Sequence, residues 1–212
     1  TENMTITAEF KKVEAAVVIT ANDMTVGTGN GDLKAAVKTL DSDGRLYWRN
    51  EMVSGATSGD NTRVIPKFTA ASFSHIENFS CYDYHYVKIG YRTNIASNNL
   101  QTNPQTVTSE GKVSRLWFGD YVKTNTDKNI WTSVVIDLHT FTDGNNIVKT
   151  DGKFDAEKTL AGIMQAIVIK PYNDGGTAII DGEYFDTQYV AFFDDEAVAN
   201  AYSFNETYDT FT

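Results

Sequence analysis

The segment Tyr84–Arg92, YHYVKIGYR, sets large rings and cations at alternating positions. An extended chain sends successive side chains to opposite faces. Val87, Ile89 and Tyr91 therefore share one face, and Tyr84, Tyr86, Lys88 and Arg92 share the other. The first set is an ordinary core stripe. The second joins flat apolar rings to hydrogen-bond donors, a combination that can stack on sugar rings and hold their hydroxyls. Two further segments follow the same logic. With Leu116 and Phe118 inward, Arg115, Trp117 and Tyr121 fall on the outer set; with Val134, Ile136 and Leu138 inward, Trp131, Ser133, Val135 and Asp137 do. Tyr47 and Trp48 are adjacent, so one faces out and the other in. Tyr84, Tyr86 and Trp117 are the expected stacking platform, with Tyr47, Trp48 and Tyr121 as flanks and Lys88 and Arg92 as polar donors. The competing reading is a packed second layer, because Tyr and Trp also pair well across strands.

Catalytic patterns are weak by comparison. Glycosidic hydrolysis needs two carboxylates about 5 to 10 Å apart across a cleft. With 28 acidic residues such pairs always exist, so Asp137 and Asp186 mark nothing by themselves. His75, His85 and His139 lie in no GxSxG-like setting, and alternation gives His85 the core face of Val87 and Ile89. GTGNGD at Gly27–Asp32 lacks the spacing of a phosphate loop and a following helix, and no HExxH occurs. Cys81 is the sole cysteine, which excludes an intrachain disulfide or a cysteine zinc cluster and reads as a small buried hydrophobe. Asp41-Ser42-Asp43-Gly44 is half of a calcium loop and reads as a turn. The expectation is a protein without an enzymatic activity.

Composition sets the outer bounds. The 212 residues are 41% hydrophobic and 22% charged, enough for one well-buried core. A formal charge of −10, with Lys and Arg scattered, repels phosphate backbones and argues against nucleic acid. No apolar run is long enough for a membrane-spanning helix, so membrane insertion is not expected. The start, TENMTITAEF, has neither a basic nor an apolar leader. A chain that begins in mid-strand without Met reads as a module cut from a larger multidomain protein, with any signal lying outside it. Its acidic, nearly cysteine-free, Thr- and Asn-rich character suits a secreted or cell-surface bacterial protein.

The elements that must position these residues are short β-branched and aromatic runs, each bounded by Gly, Asn, Asp or Ser. Strands are expected at Thr5–Phe10, Ala15–Thr20, Leu33–Leu40, Leu46–Glu51, Val64–Phe73, Tyr84–Arg92, Lys112–Phe118, Thr132–Leu138, Met164–Pro171 and Tyr184–Phe193. Ser54–Thr62, Ala96–Gly111 and Phe141–Asp155 read as loops, and short helices are expected at Asp155–Ala161 and Asp194–Tyr202. No amphipathic helices separate the strands, so the pattern favours a sandwich or barrel over βαβ units. None of the loops marks a domain boundary, and residues 1–212 read as one module.

Three segments carry a family resemblance. They are YHYVKIGYRTN at Tyr84–Asn94, IWTSVVIDLH at Ile130–His139 and GEYFDTQYVAFFDDEAVANAY at Gly182–Tyr202. Together they resemble the carbohydrate-binding-module-like jelly rolls of galactose-binding-domain type, found in modular surface and glycosidase proteins of bacteria. Tyr86, Tyr91 and Arg92 fit the first segment's pattern; Trp131 and Asp137 fit the second; Phe185, Asp186, Tyr189, Phe192 and Phe193 fit the third. The match spans roughly the last 130 residues. It implies an all-β antiparallel β-sandwich (jelly roll) with one or two short helices. It also implies non-catalytic binding of a polysaccharide or glycan by a monomer joined covalently to neighbouring domains. No cofactor is required; a structural calcium ion is the one the resemblance admits, with Asp186 among its ligands. The alternative is a structural or protein-binding module of a bacterial adhesin with no sugar ligand.

Overall fold

The computed structural model describes residues 14–28, 33–52, 63–74, 76–95, 99–117, 122–123, 128–171 and 180–204. In chain order the strands are β1 (Val17–Thr20), β2 (Thr25–Thr28), β3 (Leu33–Leu40), β4 (Leu46–Met52) and β5 (Val64–Lys67). They continue with β6 (Tyr86–Thr93), β7 (Asn99–Thr106), β8 (Arg115–Trp117), β9 (Val122–Lys123) and β10 (Thr132–Asp137). Three short pieces follow, β11 (Asp143–Asn145), β12 (Lys149–Thr150) and β13 (Lys153–Phe154), then β14 (Met164–Lys170) and β15 (Tyr184–Phe193). Two helices, α1 (Ala156–Thr159) and α2 (Glu196–Ala201), begin behind the N-caps Asp155 and Asp195, whose carboxylates accept from the amides of Lys158 and Val198. A 3-10 turn occupies Ala70–Phe73.

The first sheet runs β10-β6-β15-β4-β3, with β1 pairing the far end of β15; the second runs β2-β5-β14-β7-β9. Every pairing among the described residues is antiparallel. The sheets face one another across one core. Val87, Ile89, Tyr91, Phe185, Val190 and Phe192 from the first meet Val64, Leu100, Met164, Ile167 and Ile169 from the second. Tyr91 stacks on Phe185 at 5.2 Å, and Phe192 makes edge contacts with Phe68, Phe73 and Phe79. The fold is an antiparallel β-sandwich of jelly-roll type, as expected.

Several boundaries differ from the sequence reading. The stretch expected to be a loop at Ala96–Gly111 contains β7, which lies beside β14 in the second sheet. Its composition, NLQTNPQT, hides it, since the buried positions that alternate along it are Leu100, Thr102, Pro104 and Thr106, and only the first is a large hydrophobe. The expected strand Val64–Phe73 ends at Lys67 and turns into the 3-10 helix, and β2 carries no signal that marked it in advance. The expected strand Thr5–Phe10 lies outside the described residues.

A bulge in β15 sets up everything on the outer face of the first sheet. Thr187 opposes Tyr91 while Tyr189 opposes Gly90, so Gln188 is an extra residue. Before it, Phe185 and Thr187 face the core and Asp186 faces out. After it the parity reverses: Val190 and Phe192 face in, and Tyr189, Ala191 and Phe193 face out. The outer face thereby divides into a charged half and an apolar half.

Candidate functional site

In the charged half, Asp186 is fully buried and receives two guanidinium groups. Arg49 donates through Nε to Oδ1 at 2.8 Å and through Nη2 to Oδ2 at 2.7 Å; Arg92 donates to Oδ2 through Nε at 3.1 Å and Nη2 at 2.9 Å. The cross-strand register requires this meeting, because Asp186 opposes Arg49 on β4 and Arg92 on β6. Rings cover the cations. Arg49 lies 3.9 Å over Tyr184, and Arg92 lies 4.6 Å over Trp131 and 5.0 Å over Tyr47. Tyr47 meets Trp131 edge-on at 5.4 Å, and the Tyr184 hydroxyl donates to Asn129 at 2.6 Å. The carboxylate beside Arg49 raises that guanidinium's proton affinity further.

The apolar half is roofed by α2 and the residues after it. Tyr189, Ala191, Phe193 and Ala199 form a second buried cluster, with Tyr86, Val135, Tyr202 and Phe204 packed against it. Tyr189 passes directly over Gly90, where a Cβ would fall 2.0 Å from its ring. Burial pushes the Tyr189 hydroxyl up to about 12. Lys88 is 5% exposed and donates its ammonium to the carbonyls of Ala199, Asn200 and Tyr202 at 2.8, 3.1 and 2.7 Å. A cation suits this position, since it meets the negative end of α2. Burial lowers its pKa from the usual lysine value.

A third assembly occupies one end of the sandwich. Tyr86, His85, His139 and Tyr82 stack in a column, with centroid separations of 4.1, 3.7 and 4.8 Å. Asp137 closes it sideways. Its Oδ1 lies 2.8 Å from His85 Nδ1 and accepts from the His139 amide at 2.9 Å. Burial and the neighbouring His85 lower the pKa of His139.

The fourth assembly lies on the outer face of the second sheet. Alternation turns Gln101 and Asn103 of β7 and Lys170 of β14 away from the core, together with Arg63 just before β5. Lys170 opposes Gln101 in the register. Arg115 and Trp117 of β8 and Asn145 of β11 complete a cleft of about 400 Å³. Asn103 ties its floor together, donating to the Leu116 carbonyl at 3.1 Å and accepting from Arg115 at 3.4 Å. Trp117 is 45% exposed at the rim, an unusual state for so large a ring.

The structure therefore separates the residues expected to form one platform. Tyr86, Lys88, Arg92 and Tyr47 do lie on the outer face of the first sheet, but each is committed within the protein. Tyr84 precedes the strand and stacks on Phe79 at 5.0 Å, against the main core. Trp48 faces inward, its Nε1 donating to the Ala21 carbonyl at 2.9 Å. Trp117 belongs to the opposite face of the sandwich, and Tyr121 lies outside the described residues. His85 precedes β6 and bonds Asp137 instead of joining the stripe of Val87 and Ile89. Asp186, expected among calcium ligands, offers poor surroundings to a divalent cation, because two guanidinium groups already occupy both its oxygens. Asp41 closes a turn, accepting from the amides of Asp43 and Arg45. Burial raises the Cys81 thiol, which keeps it protonated and unreactive. Sequence reasoning missed Gln101 and Asn103 because a polar strand carries no hydrophobic signal, and Arg63, Asn145 and Lys170 because each stands singly at the end of an element.

No protein-family model and no curated protein sequence matches the chain. Solved structures of similar fold include the family 11 carbohydrate-binding module of the cellulosomal cellulase Lic26A-Cel5E of Clostridium thermocellum. It shares 11% identity over 81% of this chain and 87% of that one, with a TM-score of 0.47. A family 30 carbohydrate-binding module shares 16% identity over 80% and 88%, with a TM-score of 0.41. The CBM22-1 xylan-binding domain of Paenibacillus barcinonensis Xyn10C shares 10% over 88% and 99%, with a TM-score of 0.40.

Proposed function

We propose that the protein is a non-catalytic glycan-binding module whose ligand lies in the Trp117 cleft on the second sheet. The observation that carries this reading is the half-exposed Trp117 ring at the rim of a polar cleft. A pyranose stacked on that ring buries apolar surface, and the cleft beside it is lined by amide and cationic side chains, Asn145, Gln101, Arg63 and Lys170, of the kinds that bond sugar hydroxyls. Guanidinium and ammonium groups equally suit the carboxylates of acidic sugars. The three family-like segments in the sequence point to the same class of ligand. The reading includes an extracellular or cell-surface location and attachment to neighbouring domains, since one such cleft binds weakly. A stacked ring losing about 100 Å² gains roughly 2.5 kcal/mol, and a few hydrogen bonds add about 1 kcal/mol each before association entropy is subtracted. Millimolar to micromolar affinity follows, which multivalency would raise.

The test is calorimetric titration with a panel of neutral and uronic-acid polysaccharides, using the parent, Trp117→Ala and Tyr86→Ala. Binding by the parent and by Tyr86→Ala, weakened at least about tenfold in Trp117→Ala, is the expected result. Binding by none of the panel would sink the glycan reading; binding indifferent to Trp117 would move the site elsewhere.

The adhesin alternative has one observation in its favour. Among the described residues β3 pairs only with β4, at the edge of the first sheet, and leaves Val37 and Leu40 exposed. A partner strand docking there would be blocked by Val37→Lys, with no effect on glycan titrations.

A further inference from the structure

We infer that His85, Asp137 and His139 form a binding site for a borderline transition-metal cation of the Zn²⁺ class, separate from the glycan cleft. One nitrogen of each ring and a carboxylate oxygen all lie within 4.8 Å of one another. Two imidazoles and a carboxylate are the donor set that Zn²⁺, Ni²⁺ and Cu²⁺ prefer, whereas Ca²⁺ and Mg²⁺ prefer oxygen alone.

The chain holds these three side chains as metal ligands are usually held. His139 Nε2 lies 3.1 Å from the Tyr82 carbonyl, which can only accept, so Nε2 carries the proton and Nδ1 the lone pair. His85 Nδ1 lies 2.8 Å from Asp137 Oδ1, and for an ion to bind between them the proton on Nδ1 must pass to Nε2, which leaves a neutral ring with its lone pair on Nδ1. Asp137 is itself fixed by the His139 amide, and Thr140 Oγ1 caps the Asp137 carbonyl at 2.7 Å. The two imidazoles stack with their planes 8° apart between Tyr86 and Tyr82, so their in-plane lone pairs run parallel and one ring must turn before both can point at a single ion. The register secures the rest: Asp137 opposes Tyr86, which places the end of β10 beside the residue preceding β6.

Access is open, since the side chains of His85 and Asp137 are 16% and 30% exposed. Donors around a tetrahedral zinc at about 2.0 Å stand roughly 3.3 Å apart, so loading must draw the most distant pair together by about 1.5 Å. Rotation of one imidazole out of the stack supplies that movement and turns its lone pair towards the ion. Three protein ligands leave a fourth position for water or an incoming oxygen ligand.

The experiment is titration of the untagged protein with ZnCl₂ and NiCl₂, followed by calorimetry and by melting temperature, with CaCl₂ and MgCl₂ alongside. One Zn²⁺ per chain with a Kd of about 10 µM or tighter, and a melting temperature raised by several degrees, is expected. Calcium and magnesium should leave both unchanged. His85→Gln and His139→Gln, each shown to retain the parent's circular dichroism, should weaken Zn²⁺ at least tenfold. His75→Gln, which removes the one remaining histidine of three, should not. Absence of Zn²⁺ uptake at 100 µM, or uptake lost only in His75→Gln, would overturn the site. If a glutamine variant fails to fold, diethyl pyrocarbonate labelling of the parent decides: Zn²⁺ must protect His85 and His139, and equal labelling with and without the ion refutes the proposal.

Discussion

The two outer faces of this sandwich carry the same kinds of residue and arrange them differently. On the first sheet, Tyr47, Tyr86, Trp131, Tyr184, Lys88, Arg49 and Arg92 read like a binding platform, yet their rings and cations satisfy one another or cap α2. On the second, Trp117 with Arg63, Arg115 and Lys170 lines an open cleft. The lesson is that an aromatic beside a cation is a neutral sign. What distinguishes the two faces is whether a ring stands open: Trp117 is 45% exposed, whereas Tyr47 is buried.

That contrast can be broken in order of severity. Asp186→Ala should strike hardest, leaving two guanidinium groups without their counter-ion; a loss of about 3 kcal/mol in urea unfolding is expected, as for other broken buried pairs. Glycan affinity, measured on the folded fraction, should stay at the parent's value. Gly90→Ala comes next. Its methyl must displace the Tyr189 ring, and overpacking of this sort costs about 1 to 3 kcal/mol, visible in the same assay. Trp117→Ala should do the reverse of both, leaving stability within about 0.5 kcal/mol while removing about 1.4 kcal/mol or more of binding, a tenfold loss.

The smallest effect is a pH limb. Tyr189 is held at about 12 when folded against the ordinary tyrosine value of 10.0. Because the folded value is the raised one, the unfolded chain loses its proton first. The contribution is intact below pH 10 and disappears as pH rises from 10 towards 12. Tyr189→Phe should flatten that part of the stability profile, and an unchanged profile would show that the roof over β15 opens before the tyrosine ionises.

The sandwich was legible in the sequence because alternation is a local property. Val87, Ile89 and Tyr91 do face the core, Trp131 and Val135 do face out, and the Tyr47–Trp48 pair does split as adjacency requires. The site was harder to read because alternation names a face only relative to its own strand. It placed Trp117 and Tyr86 together, though β8 packs with β7 and β6 pairs with β15. That assignment depends on pairings between distant segments. The bulge at Gln188 added a change of parity that no local pattern announces, and the polar run NLQTNPQT concealed the strand that floors the cleft.

The position of β15 has a mechanical consequence. One side of this strand is bonded along its length to β6, and the other is shared between β4 near its start and β1 near its end. Tension along β15 therefore loads ladders on both flanks at once, so the strand must be sheared out against many bonds acting together. Peeling it away one bond at a time, as an edge strand permits, is closed to it. The bulge is the one point where the ladder to β6 skips a residue, so it is where such a rupture would begin.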